Sequence, residues 1–232
     1  MIKNISGLVL LAGFLLLLTG CPYGYKYDEG KFPTEPVNFA AVNSVFDDYN
    51  SASPVIESEH LLYFSSNRNS FGSDFDIVGE PFHLLWDKDE GRLTINNSPS
   101  EWQDYKYADS LFMRINSEFN EFGPSSVPFY LYTDTNYSGY MFIDIIAYSN
   151  DQSGNQDIKI AWFSGDAING PPEDGFYEGP QTVSFLNSNS NDAYLSFYGP
   201  AYLWGDNGVD PTRITELIFS SDRKGEGDYD IY

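Results

Sequence analysis

Apolar positions along the chain fall into two kinds of run. Gly7 to Leu18 is an uninterrupted stretch of twelve small or apolar residues behind a single basic residue, Lys3. It falls short of the roughly 20 residues a membrane span needs and fits the apolar core of a signal peptide. After Thr34 the runs are shorter, rich in Ile, Val, Phe, Tyr and Trp, and separated by Gly, Asn, Asp, Ser and Pro. Such punctuation predicts strands and turns, and no convincing stripe of period 3.6 follows Cys21.

The short runs repeat. NSVFDDYNSA from Asn43, NSEFNEFGPS from Asn116 and NSNSNDAYLSF from Asn187 start 73 and 71 residues apart. Allowing one extra residue in the third copy makes Tyr49, Phe122 and Tyr194 correspond. A second motif follows each: LLYFSSNRNSFGSDFDI, IIAYSNDQSGNQDI and LIFSSDRKGEGDYDI, closing on Asp76, Asp157 and Asp230. A third element, EPVNFAAVNS from Glu35 and GPQTVSFLNS from Gly179, precedes the first motif twice. Separate motifs recurring in one order mark a repeat of roughly 72 residues over 35–232.

Each unit reads as four short strands, in unit two Ser125 to Tyr130, Phe142 to Ser149, Asp157 to Phe163 and Gln181 to Leu186. Four-stranded antiparallel meanders are the blades of a β-propeller, so the expected class is all-β. About three repeats are present, fewer than the four to eight blades of a usual ring. The third stops as its third strand begins, while Val37 to Val42 is a strand whose blade-mates are distant in sequence. Truncation is the favoured account, and joining of copies through open sheet edges the other.

Formal charge is −22, from 34 Asp+Glu against 12 Lys+Arg, which argues against nucleic acid as a partner. Aromatics at 17% are too abundant for a disordered acidic tail. The one cysteine excludes an internal disulfide and any Cys-based zinc site.

That cysteine closes Leu18-Thr19-Gly20-Cys21, which resembles the lipobox of bacterial lipoproteins. The resemblance implies a signal peptide over 1–20, acylation of Cys21 and a tether over 21–34. It implies attachment to the cell envelope by acyl chains rather than a span. Pro22 in place of an acid leans toward the outer membrane, facing the periplasm or the surface. Phe219 to Tyr232, with its Phe-Ser-Ser-Asp-Arg, Gly turn and Asp-Ile-Tyr, resembles the TolB-type propeller repeat. Asn187-Ser188, Asn191-Asp192 and Tyr194 are similar to the form found in Bacteroidetes-like lipoproteins. Unit two departs, with Gln152 at the arginine position and Tyr148-Ser149-Asn150 for Phe-Ser-Ser. Propellers host many activities, so the resemblance implies a fold more than a function.

Repeated polar residues have a structural expectation. Asn67, Asp151 and Asp222 suit Asx-turns, and Gly72, Gly154 and Gly225 suit positive φ. Arg68 and Arg223 are expected to pair with Asp76 and Asp230 across the hairpin, and Gln152 to bond Asp157. Calcium is the competing reading of the acidic, Gly-containing loops at Asp87, Asp89 and Asp151, which lack EF-hand spacing. Ser149 to Gly154 misses a sialidase-type aspartate box by one residue. His60 and His83 are the only histidines, each read as structural. No catalytic residues are assigned, and no cofactor beyond calcium.

In a meander the repeated motifs share one end of the sheets and the insertions the other. The expected insertions are Gly79 to Asp109, Tyr130 to Met141, Ser164 to Glu178 and Tyr198 to Thr215. They carry Trp86, Tyr107 and Tyr132 together with the preferred ligand-binding candidates Trp102, Tyr105, Tyr137, Tyr140, Tyr202 and Trp204. Tyr and Trp are common interface anchors and sugar platforms, and they equally pack beneath long loops. The leading expectation is a non-catalytic scaffold binding an envelope protein or glycan. The alternative is a propeller hydrolase of glycans or peptides whose catalytic part is missing or unrecognised.

Overall fold

Alternating apolar and polar residues become eleven antiparallel strands among the described residues, in three sheets. The computed structural model describes residues 38–40, 42–52, 59–87, 92–97, 106–132, 140–166, 176–198, 216–224 and 228–232. Contacts divide the chain into Met1–Thr34 with Trp86–Leu93, and Glu35–Leu85 with Thr94–Tyr232. Of the first unit only strand residues 86–87 and 92–93 are described. The packing set out below lies in the second. The described residues are mostly β, with one helix among them.

Sheet one has the order β1 (Asp48–Ala52), β2 (Glu59–Ser66), β3 (Asp76–Asp87), β4 (Arg92–Asn97). Sheet two runs β5 (Glu121–Tyr132), β6 (Tyr140–Asn150), β7 (Asp157–Asp166), β8 (Phe176–Thr182). Sheet three has β9 (Asp192–Tyr198), β10 (Glu216–Ser221) and the two-residue β11 (Asp230–Ile231). All are meanders, so strand order follows sequence order. Phe64, Tyr148 and Phe219 lie at matching places in β2, β6 and β10. Beyond them Ser66, Asn150 and Ser221 pair with Asp76, Asp157 and Asp230.

The first strands match without the extra residue expected from the sequence. Asp48, Glu121 and Asp192 pair with Ser66, Asn150 and Ser221. Two residues on, Asn50, Gly123 and Tyr194 all take positive φ, near 55°, where the register slips by a bulge. Tyr194 therefore corresponds to Asn50, and Ala193, paired with Ser220, corresponds to Tyr49 and Phe122, paired with Ser65 and Ser149. An aromatic match had suggested the gap. Backbone geometry removes it.

Sheet two is covered on both faces, which its strands anticipate. Along β7, Ala161 and Phe163 face a cluster with Leu61, Tyr63, Ile77, Ile146 and Tyr148, while Ile158 and Ile160 face Ala147, Leu195 and Phe219. Period two thus sorts one strand between two cores.

The expected insertion Gly79 to Asp109 instead holds most of β3, all of β4 and the start of a helix, α1 (Lys106–Ile115). Tyr107, Ala108, Leu111, Phe112 and Ile115 are all buried against sheets one and two. They form an apolar face at helical spacing. Ten residues give the stripe under three turns, and its aromatics favour strands, so the period was masked. Asp109 in the first turn and Arg114 in the last complement the helix dipole. Tyr107 belongs to the core, not to an exposed loop.

Two expected strands are also corrected. The fourth strand of unit two is Phe176–Thr182 rather than Gln181 to Leu186, since Val183 begins a turn closed by Leu186 and Asn187 amides on its carbonyl. The described part of Val37 to Val42 makes the same turn, with Val42 and Asn43 amides on the Phe39 carbonyl. In unit two the end of α1 fills this role, the Asn116 amide bonding the Phe112 carbonyl. The third repeated element is therefore present three times, once disguised as a helix.

Candidate functional site

Both repeated motifs meet at one end of each sheet. In units one and three an arginine from the hairpin turn lies over a strand-two phenylalanine, Arg68 above Phe64 and Arg223 above Phe219, about 5 Å from each ring. Each guanidinium reaches the acid heading the first strand, Arg68 to Asp48 at 2.7 Å and Arg223 to Asp192 at 2.6 Å. It also donates to the carbonyl of Val42 or Leu186. The expected partners Asp76 and Asp230 are not used. On the third strand Arg68 meets Glu80 rather than Asp76, at 3.4 Å, and Asp230 meets Lys224, at 3.5 Å.

These acids are tightly held. Burial works against ionisation of Asp48, but hydrogen bonds from Ser66, Ser44 and Arg68 hold it down at about 2. Asp192 is lowered in the same way, against burial, by Ser221, Arg223 and Ser188. Unit two lacks the arginine. Its buried Glu121 takes hydrogen bonds from Ser117 and Asn150, and burial, aided by nearby Asp76, pushes it up to about 7. Gln152 does not bond Asp157 as expected; it accepts a hydrogen bond from Lys159 at 2.8 Å.

Asn67, Asp151 and Asp222 do accept backbone amides, but distant ones. They take Asp47, Asn120 and Asn191 N–H at 3.0, 3.0 and 2.8 Å. The local turn bond comes from the preceding residue, through Ser66, Asn150 and Ser221 to the amides of Arg68, Gln152 and Arg223. Gly72 and Gly154 take positive φ as expected, and Gly225 lies outside the described residues. With its carboxylate on Asn120, Asp151 is part of the unit's scaffold.

The same loops fasten one sheet to the next. Asn116 accepts the Ile77 N–H at 2.8 Å and donates to the Ile77 carbonyl at 2.9 Å. Asn187 does the same to Ile158, at 2.7 and 2.9 Å. Four residues later Asn120 and Asn191 accept the N–H of Phe75 and Gln156. The amides of Glu121 and Asp192 then donate to the carbonyls of those residues. Each seam is a row of four hydrogen bonds along a third strand.

Sequence reading missed one polar cluster. Asp144, fully buried in β6, accepts from Tyr63 at 2.7 Å, Tyr107 at 3.1 Å and Ser126 at 2.5 Å. Burial raises its carboxyl above the usual range despite these three donors. An acid inside the apolar run Ile143-Asp144-Ile145-Ile146 was the available signal, since such a residue must find partners. Its partners come from sheet one, α1 and β5, which no local pattern connects.

Of the expected ligand contacts, Trp102, Tyr105, Tyr137, Tyr202 and Trp204 lie outside the described residues, as do Cys21 and Asp89. Tyr140 begins β6 and Asp87 ends β3. His60 in β2 pairs with Phe82, and His83 in β3 with Glu59, so the histidines are not cross-strand partners. Among the described residues no group of three or more His, Cys, Asp or Glu is placed to hold a metal ion. No described helix is long and apolar enough to cross a membrane. No family model, no curated protein and no solved structure matches the chain.

Proposed function

We propose that the chain is a lipid-anchored protein of the bacterial envelope, built from TolB-like propeller blades. On this reading it acts by binding an envelope protein or glycan. One observation carries the reading: the repeated polar side chains at one end are engaged in the scaffold itself, Asn116 and Asn187 between units and Arg68 and Arg223 on acids within their own units. Such residues are architectural, and recognition falls to the other end of the sheets. There β5 connects to β6 through a segment carrying Tyr137, and β9 to β10 through one carrying Tyr202 and Trp204. Variable connections at one end of a repeated scaffold are a common binding surface.

Two experiments test it. Cys21→Ser should abolish acylation and release the protein from membranes, and unchanged membrane partitioning would end the lipoprotein reading. Tyr137→Ala, between β5 and β6, and Trp204→Ala, between β9 and β10, should each weaken capture of the partner recovered by pull-down, by about 2 kcal/mol or more for a true anchor, with the melting temperature little changed. If both lose stability and keep affinity, these aromatics are loop packing and the binding surface is misplaced.

A further inference from the structure

At the repeated-motif end, units two and three carry polar residues at two outer positions where unit one is apolar. Val45 occupies the place of Glu118 and Asn189 in the loop before the first strand. The residue before the turn glycine is Phe71 in unit one, Ser153 in unit two and Lys224 in unit three. Val45 is 94% exposed and Phe71 87% exposed. Glu118 and Ser153 are exposed too, although unit two has a neighbour on each side, so a flanking unit covers neither place. The exposure of Val45 and Phe71 belongs to the loops themselves.

Both loops are rigidly built. Phe71 takes φ 57°, a left-handed conformation that side chains other than glycine and asparagine rarely adopt and that stores strain. The Ser70 hydroxyl holds it there, donating to the Asp74 carbonyl at 2.7 Å and accepting the Ser73 and Asp74 amides at 3.1 and 2.8 Å. The Gly72 amide closes the turn on the Asn67 carbonyl at 2.9 Å. Phe46 stands edge-on to Phe71, with ring centroids 6.4 Å apart. Val45 precedes it on a loop pinned by Ser44, whose amide and hydroxyl donate to Asp48 at 2.6 and 2.8 Å. A surface held in shape before contact loses little entropy on engagement.

The reading of Cys21 as an acylated residue supplies the occupant, and the inference rests on that reading. Asn38 lies seventeen residues after Cys21, a reach of at most about 60 Å, and Val45 follows seven residues later. Unit one is thus the repeat next to the anchor, and among the three it alone has the apolar tip. An anchor confines the chain beside the bilayer, so even a weak apolar contact with that surface forms at high effective concentration. Asp47 and Asp74, both exposed, flank the tip in sequence. They disfavour an anionic surface and suit the ammonium of phosphatidylethanolamine.

We propose that Val45 and Phe71 insert into the outer edge of a phosphatidylethanolamine-rich bilayer, with Phe46 behind them, and that the anchored chain stands on this tip. The depth is that of interfacial apolar side chains, about 5–10 Å. The repeated-motif end then faces the lipid, and the opposite end of the sheets faces outward.

The full chain carrying Val45→Cys, Phe71→Cys or Ser153→Cys, labelled with a polarity-sensitive thiol fluorophore, is reconstituted in vesicles of phosphatidylethanolamine and phosphatidylcholine. Probes at 45 and 71 should emit to the blue of the probe at 153 and be quenched severalfold more by a lipid-borne quencher near the headgroups. Replacing phosphatidylcholine with phosphatidylglycerol should reduce both effects. Phe71→Asn should not lower the melting temperature, since asparagine tolerates the left-handed backbone, yet should lower quenching of the probe at 45. Wild type exposed to the same reagent reads the anchor: acylated Cys21 takes no label, and a labelled wild type overturns the anchored reading and this inference with it. With Cys21 blocked, probes at 45 and 71 as aqueous as the probe at 153 overturn the tip alone. A blue shift without lipid quenching also overturns it, by placing the tip against protein.

Discussion

Units one and three set a short acid beside an arginine, whereas unit two sets a longer acid beside an asparagine. Asp48 and Asp192 are held ionised by serine donors together with Arg68 and Arg223, while Glu121, more deeply buried, is pushed toward its neutral form. The backbone around all three is the same, down to the bulge two residues later. Charge state at this position therefore follows how deeply the acid is buried and whether serines and a turn arginine donate to it, on one shared backbone. A buried acid without a cation is tolerable when protonation is available, and costly when it is not.

Removing the cation should break the comparison most strongly. Arg68→Ala leaves Asp48 with its serine donors alone and uncovers Phe64; we expect a loss of about 2–3 kcal/mol at neutral pH by denaturant titration. Gln152→Ala, at the same place in unit two, should change stability by less than about 0.5 kcal/mol. Equal losses would mean that the arginine does not hold the acid.

The second contrast is pH. Because Glu121 sits at about 7 when folded, above its ordinary 4.5, its contribution is full below 4.5 and is lost as pH rises through 7. Wild type should therefore lose up to about 3 kcal/mol from this group between acid and mildly alkaline conditions, and Glu121→Gln should flatten that slope. Asp48 acts in the opposite direction: its contribution is present above about 3.8 and is lost only as pH falls through about 2. A pH profile unchanged by Glu121→Gln would contradict this assignment.

The smallest effect sharpens the comparison by abolishing it. Gln152→Arg should supply the missing guanidinium, lower the Glu121 carboxyl and add about 1 kcal/mol at pH 8. Carboxyl titration by NMR would show Glu121 moving below 7, and an unmoved signal would mean the new side chain does not reach it.

Much of this was legible in the chain. The repeats fixed the three meanders, because Ser-Ser-Asn-Arg and the closing Asp sit at hairpin ends where register leaves little choice. The partner of the arginine was not legible, since Asp48 and Asp76 are both acids within reach along the sequence and only the fold-back over Phe64 decides between them. Helix α1 was hidden because tertiary burial of Leu111 and Ile115, rather than local propensity, stabilises it. Asp144 was hidden because its two tyrosines arrive from positions 63 and 107.

The pairing between the two motifs of a unit also constrains how such chains can change. Unit one joins Asp47 to Asn67, while units two and three reverse the types, Asn120 with Asp151 and Asn191 with Asp222. Either order places one carboxylate against one amide. Exchanging a single motif between unit one and another would put two carboxylates, or two amides, face to face at the turn. Segments can therefore be shuffled among units only when both halves travel together, so the smallest exchangeable module is the span from Asp47 to Asn67, rather than either motif alone.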